Sequence, residues 1–429
     1  MPNSAMRRFS ALFHVDSFLG SGWGKDQNMA SESESRVRPK RFAFISSNFT
    51  WGGSEELWSL TAAALAREGH RVTAYKNRLK PHEGNVDELR GMGVRLIELA
   101  RFPFLPNALF SAIFWISPPL SVAWQALRLH LSLRLRKRPD LVIISQGGNH
   151  DAFLLAGICR RLGHPFVLIS QKATDLYWPR DNWLKEVRAI YAEAIHAFFV
   201  SEHNHRLTEE QIGCRIERAS VTRNPFMVPW TKRRDWPGEE NGLRLACVGR
   251  LYPKEKGQDM LLRVLASAKW RGRPLSVTFF GSGEQQEALQ AMAAYHGLSS
   301  VRFGGYAENV AAIWDDHHGL VLPTRAEGLP LVLVEAMMSG RVAIVTDVAG
   351  NREVLEDERT GFIADAPSEQ AIDDALERAW ARRAEWRAIG DTAADRIRTL
   401  VPADPARTLA AELVAIAERI GRSGGEIGH

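Results

Sequence analysis

The chain has 429 residues, 45% hydrophobic and 24% charged, the balance of a globular protein long enough for two or three domains. Its net charge of +5 is small for that length; it suits phosphate or anionic-lipid partners and gives no reason to invoke nucleic acid. Cys159, Cys214 and Cys247 are odd in number, far apart and without His or Cys at ligand spacing, which argues against a disulfide framework or a zinc site and for a reducing compartment.

Residues 1–40 mix Ser, Glu, Gly and Arg without apolar periodicity and are expected to be a disordered leader. Gly20 to Lys25 looks like a P-loop but has the wrong spacing, no Ser or Thr after the lysine and no strand before it. No ordered succession of charged, apolar and small-residue regions opens the chain, so secretion is not expected and a cytoplasmic protein is. From Arg41 the pattern changes. Phe42 to Ser46 is a short apolar strand, Trp51-Gly52-Gly53 a turn, and Ser54 to Glu68 an amphipathic helix stopped at Gly69. Strands are expected again at 71–75, 141–145, 166–170 and 197–201, with room for crossover helices between them.

Phe102 to Leu127 contains no charged residue and is followed by Arg128, Arg134, Arg136, Lys137 and Arg138. Pro103, Pro106, Pro118 and Pro119 are expected to break a spanning helix there. Two readings remain: an interfacial element on an anionic membrane surface, or a broken helix that covers the sheet and ends in solvated cations. The polar stretch 231–242 is expected to be a linker. A second series follows, with strands at 243–248, 275–280, 301–303, 320–323 and 342–346 and helices starting near Gln258, Glu284, Glu308 and Leu331. The fold class is therefore α/β: two Rossmann-like domains with parallel sheets, 41–230 and 243–400, facing across a cleft. In 401–429 the apolar period supports a helix able to pack across the junction.

The most specific constellation is Glu327-Gly328-Leu329-Pro330 to Glu335, two glutamates eight positions apart across a strand, loop and helix junction. Glu327 belongs to the loop at a strand's carboxyl end, and Gly328 and Pro330 open a helix whose free N–H groups favour an anion. Carboxylates at such a point accept hydrogen bonds from sugar or ribose hydroxyls, whereas in isolation they would only complement the helix dipole. Gly249-Arg250-Leu251 and Lys256-Gly257 place two cations at the carboxyl edge of the same sheet, where open α/β sheets bind ligands. Arg and Lys can neutralise a departing diphosphate without a metal.

Taken together, these residues make the chain resemble the GT-B glycosyltransferases of family 4, over most of residues 41–400. The matching features are those just named, with Gly281-Ser282-Gly283-Glu284, Phe303-Gly304-Gly305, Gly350 with Glu353, and Thr360-Gly361-Phe362. In the first half Gly52-Gly53-Ser54-Glu55, Gly69 to Val72 and Pro139-Asp140 also match. The resemblance implies a retaining, hexosyltransferase-type enzyme with no cofactor beyond its nucleotide-sugar co-substrate, a UDP-sugar by default. The acceptor would be a carbohydrate or a lipid-linked glycan, in cell-surface polysaccharide or glycolipid biosynthesis. It further implies that Arg250 and Lys256 bind the diphosphate, Glu335 the ribose and Glu327 the transferred sugar. Gly249, Gly328 and Leu329 would border the donor, and Gly52 and Gly53 would let the first domain's backbone approach the phosphates.

Where many relatives carry a His after the fourth predicted strand, this chain has Gln171-Lys172-Ala173; His150 is the substitute candidate in a similar loop. Tyr306 is a candidate for stacking near the donor base, and Trp51, Trp178 and Trp183 lie in loops where an acceptor would sit. Arg341 replaces a common Pro and is expected to affect only local turn geometry. Competing functions are a phosphorylase or epimerase on the same fold, and a non-catalytic peripheral membrane scaffold.

Overall fold

In the computed structural model, residues 38–49, 51–79, 85–101, 118–231, 233–240 and 242–425 are described. The expected leader up to residue 37, with its P-loop-like hexapeptide, and residues 102–117 of the uncharged stretch lie outside them.

The first sheet has seven strands: β1 (Arg41–Ser46), β2 (Arg71–Lys76), β3 (Arg95–Glu98), β4 (Leu141–Gln146), β5 (Phe166–Ser170), β6 (His196–Phe199) and β7 (Ala219–Val221). The second has six: β8 (Leu243–Val248), β9 (Leu275–Phe280), β10 (Val301–Gly305), β11 (Gly319–Leu322), β12 (Val342–Thr346) and β13 (Phe362–Ala364). All pairings are parallel, in the orders β3-β2-β1-β4-β5-β6-β7 and β10-β9-β8-β11-β12-β13. The longer helices of the first half are α1 (Gly53–Arg67), α2 (Pro118–Leu135), α3 (Phe153–Arg161), α4 (Asp181–Glu193) and α5 (Glu202–Ile212). Those of the second are α6 (Gln258–Leu265), α7 (Gln286–Tyr295), α8 (Val310–Asp316), α9 (Leu331–Met338), α10 (Glu369–Ala381), α11 (Trp386–Leu400) and α12 (Pro405–Gly425).

Central strands such as Leu141–Gln146 are buried at every position because helices cover both faces, so they are apolar without alternation. Four cores result, one on each face of each sheet. Helix α11 packs on α9 and β12 in the second half, but α12 returns to the first and lies along α1. There Leu409, Leu413 and Ile416 join Phe42, Phe44, Leu57 and Trp58 in one core. Burying each of those three α12 side chains stabilises by about 2 kcal/mol.

Strands β3, β7 and β13 were not expected. The first two are short, half-exposed edge strands, and β13 is three residues long, so none offers a periodic apolar run. Strand β6 ends at Phe199 rather than Ser201 because the Ser201 hydroxyl accepts the Asn204 N–H at 3.2 Å and caps α5 instead. Pro118 and Pro119 stand at the start of α2, a position where a missing N–H costs nothing, and Pro103 and Pro106 lie outside the described residues. No described helix is long and apolar enough to cross a membrane.

Arg341 does more than shape a turn. It is buried, and its guanidinium donates to the carbonyls of Trp314, Arg234 and Asp235, tying the expected linker to the second half. Burial lowers its pKa to about 10. Arg398 donates to the Trp230 carbonyl at 2.7 Å and Arg234 pairs with Asp315 at 3.0 Å, which strap down the same segment.

Candidate active site between the two sheets

Both sheets reverse their strand order at one place, between β1 and β4 and between β8 and β11, and the loops leaving those strands lie at the carboxyl edge, where open α/β sheets place their ligand crevice. In the first half these loops are 47–49 with 51–52, and 147–152; in the second they are 249–252 and 323–330.

Gly249 follows β8 directly. Its neighbourhood admits only glycine at Gly281, where φ is +134° and a Cβ would stand 2.0 Å from the Gly249 carbonyl oxygen. The Gly249 N–H donates to Phe280 and the Leu251 N–H to Ser282, so the β8 and β9 exits are stitched together and Arg250 is left outward. Its side chain is 63% exposed, lies over the Tyr252 ring and reaches Glu255 at 3.8 Å. A helical turn, Pro253–Lys256, then ends at Gly257, where φ is +64° and a Cβ would overlap the Pro323 carbonyl. That turn brings Lys256 to Glu327: Nζ to Oε1 is 2.5 Å, with both side chains largely buried.

The Glu327 loop is held by the same turn. Arg325 and Ala326 donate their N–H groups to the Glu255 carbonyl, and the Arg325 guanidinium forks onto Asp259 at 2.7 and 3.0 Å. Sequence reasoning passed over Arg325 because its partners are backbone carbonyls and a helix-start acid with no motif of their own. Leu329 is buried in the core beneath, and Pro330 caps α9. Glu335, in the second turn of α9, is 3% exposed and accepts the Met227 N–H at 2.9 Å. Burial, with Glu56 nearby, pushes its carboxyl up to about 7.

The first half meets this site closely. Gly52 caps α1, and a Cβ on Gly53 would lie 3.2 Å from the Leu331 side chain at the start of α9, so two helix N-termini face each other across the crevice. Gly328 is tighter still: a Cβ there would be 2.0 Å from the Gln171 carbonyl and 2.7 Å from Val200. Glu353 accepts the His203 N–H at 2.9 Å and pairs with Arg223 at 3.4 Å.

Lys172 makes a contact that was not expected: from the loop after β5 it reaches across to Glu255 at 2.8 Å. Burial alone would raise the Glu255 pKa, but Lys172, Arg250 and Lys256 together hold it below the ordinary carboxylate value. The signal for Lys172 was its place, a cation where relatives were expected to carry a histidine. Glu255 thus draws Arg250 and Lys172 to the turn that carries Lys256, Lys256 holds Glu327, and Gly328 brings its loop within contact of the Gln171 carbonyl.

His150 lies in the first half, half-buried beside Asn149 at 2.9 Å, with its pKa lowered by burial. Tyr306 follows β10 and is 75% exposed, so it is not a packing residue. Trp51 packs on Trp58 and donates to Glu56, Trp183 stacks on Phe153, and Trp178 is exposed. Among the described residues no three His, Cys, Asp or Glu side chains converge as a metal site.

Two Rossmann-like parallel-sheet domains with a shared crevice define the GT-B architecture. Solved structures agree: the chain superposes on HepE from Anabaena, crystallised with UDP and glucose, with a TM-score of 0.67 at 17% identity over 88% of this chain and 99% of that one. Sucrose-phosphate synthase from Thermosynechococcus elongatus gives 0.66 at 17% identity, over 90% and 99%. Residues 52–225 match the glycosyl transferase 4-like domain and residues 242–382 match glycosyl transferases group 1, together most of the chain. The chain belongs to the group 1 glycosyltransferases. It is 25% identical over 336 residues to the GDP-mannose-dependent α-(1-6)-phosphatidylinositol monomannoside mannosyltransferase of Mycobacterium tuberculosis H37Rv, covering 73% of this chain and 81% of that one.

Proposed function

We propose that this glycosyltransferase retains anomeric configuration, uses no metal, and moves a hexose from a nucleotide diphosphate sugar, by default a UDP-sugar, to a glycan or lipid-linked acceptor. The supporting observation is the Arg250, Lys256 and Glu327 group at the β8–β11 switch point, opposite the glycine-capped start of α1. HepE was crystallised with UDP, and the mycobacterial relative is a GDP-mannose-dependent enzyme, so a nucleotide sugar is the donor class proposed here.

Arg250 and Lys256 carry the diphosphate and take up its charge as the sugar C1–O bond breaks. Glu327, now held by Lys256, turns to hydroxyls of the transferred sugar, and the free oxygen of Glu335 accepts from the ribose. The acceptor oxygen bonds to C1 on the face the diphosphate leaves, and its proton passes to the departing phosphate oxygen. Neither carboxylate need act as base: Glu335 is buried and Glu327 is paired to a cation. Gly52, beside which a Cβ would meet nothing within 4 Å, leaves space for the phosphates, Gly53 lets the backbone approach them, and Gly249, Gly328 and Leu329 are proposed to shape the donor wall. His150 and Tyr306 are proposed as acceptor-side and base-side contacts. A degenerate scaffold would be expected to have lost Arg250, Lys256 or Glu327, and the chain retains all three. We place the enzyme in the cytoplasm, working on cell-surface polysaccharide or glycolipid precursors at the inner membrane face.

The test is a thermal-shift series with UDP, GDP, ADP, TDP and their sugar conjugates, with Arg250→Ala and Lys256→Met as controls. One nucleotide should stabilise the wild type and not the variants, and kcat/KM should fall roughly 10²- to 10³-fold in Lys256→Met. No stabilisation by any nucleotide overturns the donor-site assignment.

A further inference from the structure

Helix α2 has two apolar faces, where a surface helix ordinarily has one. Its inner face carries Leu129 and Leu133, buried in the first sheet's core beside Tyr75 and Ile144, with Gln125 buried next to them. On the opposite side, Leu120, Leu127, Leu131 and Leu135 follow at spacings of seven, four and four, which on a helix is one continuous stripe. They are 63%, 49%, 44% and 78% exposed. At about 100° per residue, Arg128 borders this stripe on one side and Arg134 on the other. Arg136, Lys137 and Arg138 continue from its end, and no Asp or Glu occurs between Pro118 and Pro139. Helix α3, packed beside α2, adds the exposed Leu154, and the loop before α4 adds Leu176 and Trp178.

We propose that this outer face of α2 is a docking surface for an anionic lipid bilayer. An apolar stripe rimmed by cations and free of acids needs a partner that offers hydrocarbon and negative charge together along the length of a helix. A bilayer interface does so, with acyl chains for the leucines and lipid phosphates for the arginines. The 18 residues of α2 lie along the interface rather than across it, since no described helix is apolar enough to span. Leu154, at the start of α3, and Trp178, in the loop after β5, lie at the carboxyl edge of the first sheet, and we assign that end of the docking surface to the side on which the acceptor would enter. The orientation rests on the transferase reading; the docking itself does not.

The full chain is sedimented with vesicles of phosphatidylcholine alone and of phosphatidylcholine with phosphatidylglycerol, at low and high salt. Binding is expected to the anionic vesicles, weakening with salt, and Leu127→Glu with Leu131→Glu should reduce the bound fraction tenfold or more. The double variant should keep the wild-type nucleotide thermal shift, which separates failure of this surface from failure of the transferase assignment. Wild-type protein left in the supernatant with anionic vesicles at low salt overturns the proposal, as does equal binding by the double variant. A wild-type dimer that the double variant makes monomeric, without vesicle binding, would assign the face to a second copy and overturn it too.

Discussion

Glu335 is a carboxyl group placed where ionisation is costly, and Glu335→Gln isolates that cost. With its pKa raised from 4.5 to about 7 by burial, the side chain is neutral in both folded and unfolded chains below about pH 4.5. As pH rises the unfolded chain ionises first, so native stability falls between the two values and is lowest above pH 7. The difference of about 2.5 units is on the order of 3 kcal/mol at 1.36 kcal/mol per unit. The amide does not titrate and its oxygen can still accept the Met227 N–H. Thermal unfolding should therefore show wild type and variant alike near pH 4.5 and the variant more stable near pH 8.5, by roughly 6–12 °C for a domain of this size. Saturating nucleotide should narrow the gap, because a ribose hydroxyl supports the charged form only in the wild type. A gap that is the same at both pH values, or a variant less stable at alkaline pH, would refute the reasoning.

Two further outcomes follow from contacts across the crevice. Lys172→Ala and Glu255→Ala should show a coupling of about 1 kcal/mol in a double-mutant cycle on stability, since the pair at 2.8 Å is partly buried but not dry; zero coupling would show that the halves are not latched there. Gly328→Ala puts a methyl group 2.0 Å from the Gln171 carbonyl and should cost about 1–3 kcal/mol in stability and raise KM for the donor; wild-type KM and Tm would mean that the contact yields freely.

The alternation of apolar strand and amphipathic helix made the two parallel-sheet halves legible, because central strands buried on both faces leave uninterrupted runs such as LVIIS and VAIVT. Edge strands escaped for the opposite reason: Arg95–Glu98 and Ala219–Val221 are half-exposed and owe their form to a neighbour. Arg250, Lys256, Glu327 and Glu335 could be read as one edge because each is tied in sequence to a strand end or helix start. Lys172 with Glu255, and Arg325 with its carbonyl partners, depend on the approach of segments 60 or more residues apart or on backbone acceptors, which residue spacing does not encode. Arg341 was read as a substituted turn residue, since nothing local reveals that its guanidinium is buried against the Trp314 and Asp235 carbonyls.

The return of α12 to the first sheet means that the polypeptide passes between the halves twice, between Val221 and Leu243 and again between Leu400 and Pro405. A body tethered once can swivel in any direction; tethered twice, it pivots about the line through its tethers. A chimera that imports the donor half of another glycosyltransferase must therefore be cut at two places and retain 405–425 from the acceptor-side parent. Leu409, Leu413 and Ile416 were shaped against that parent's own α1 and would meet a stranger's surface otherwise.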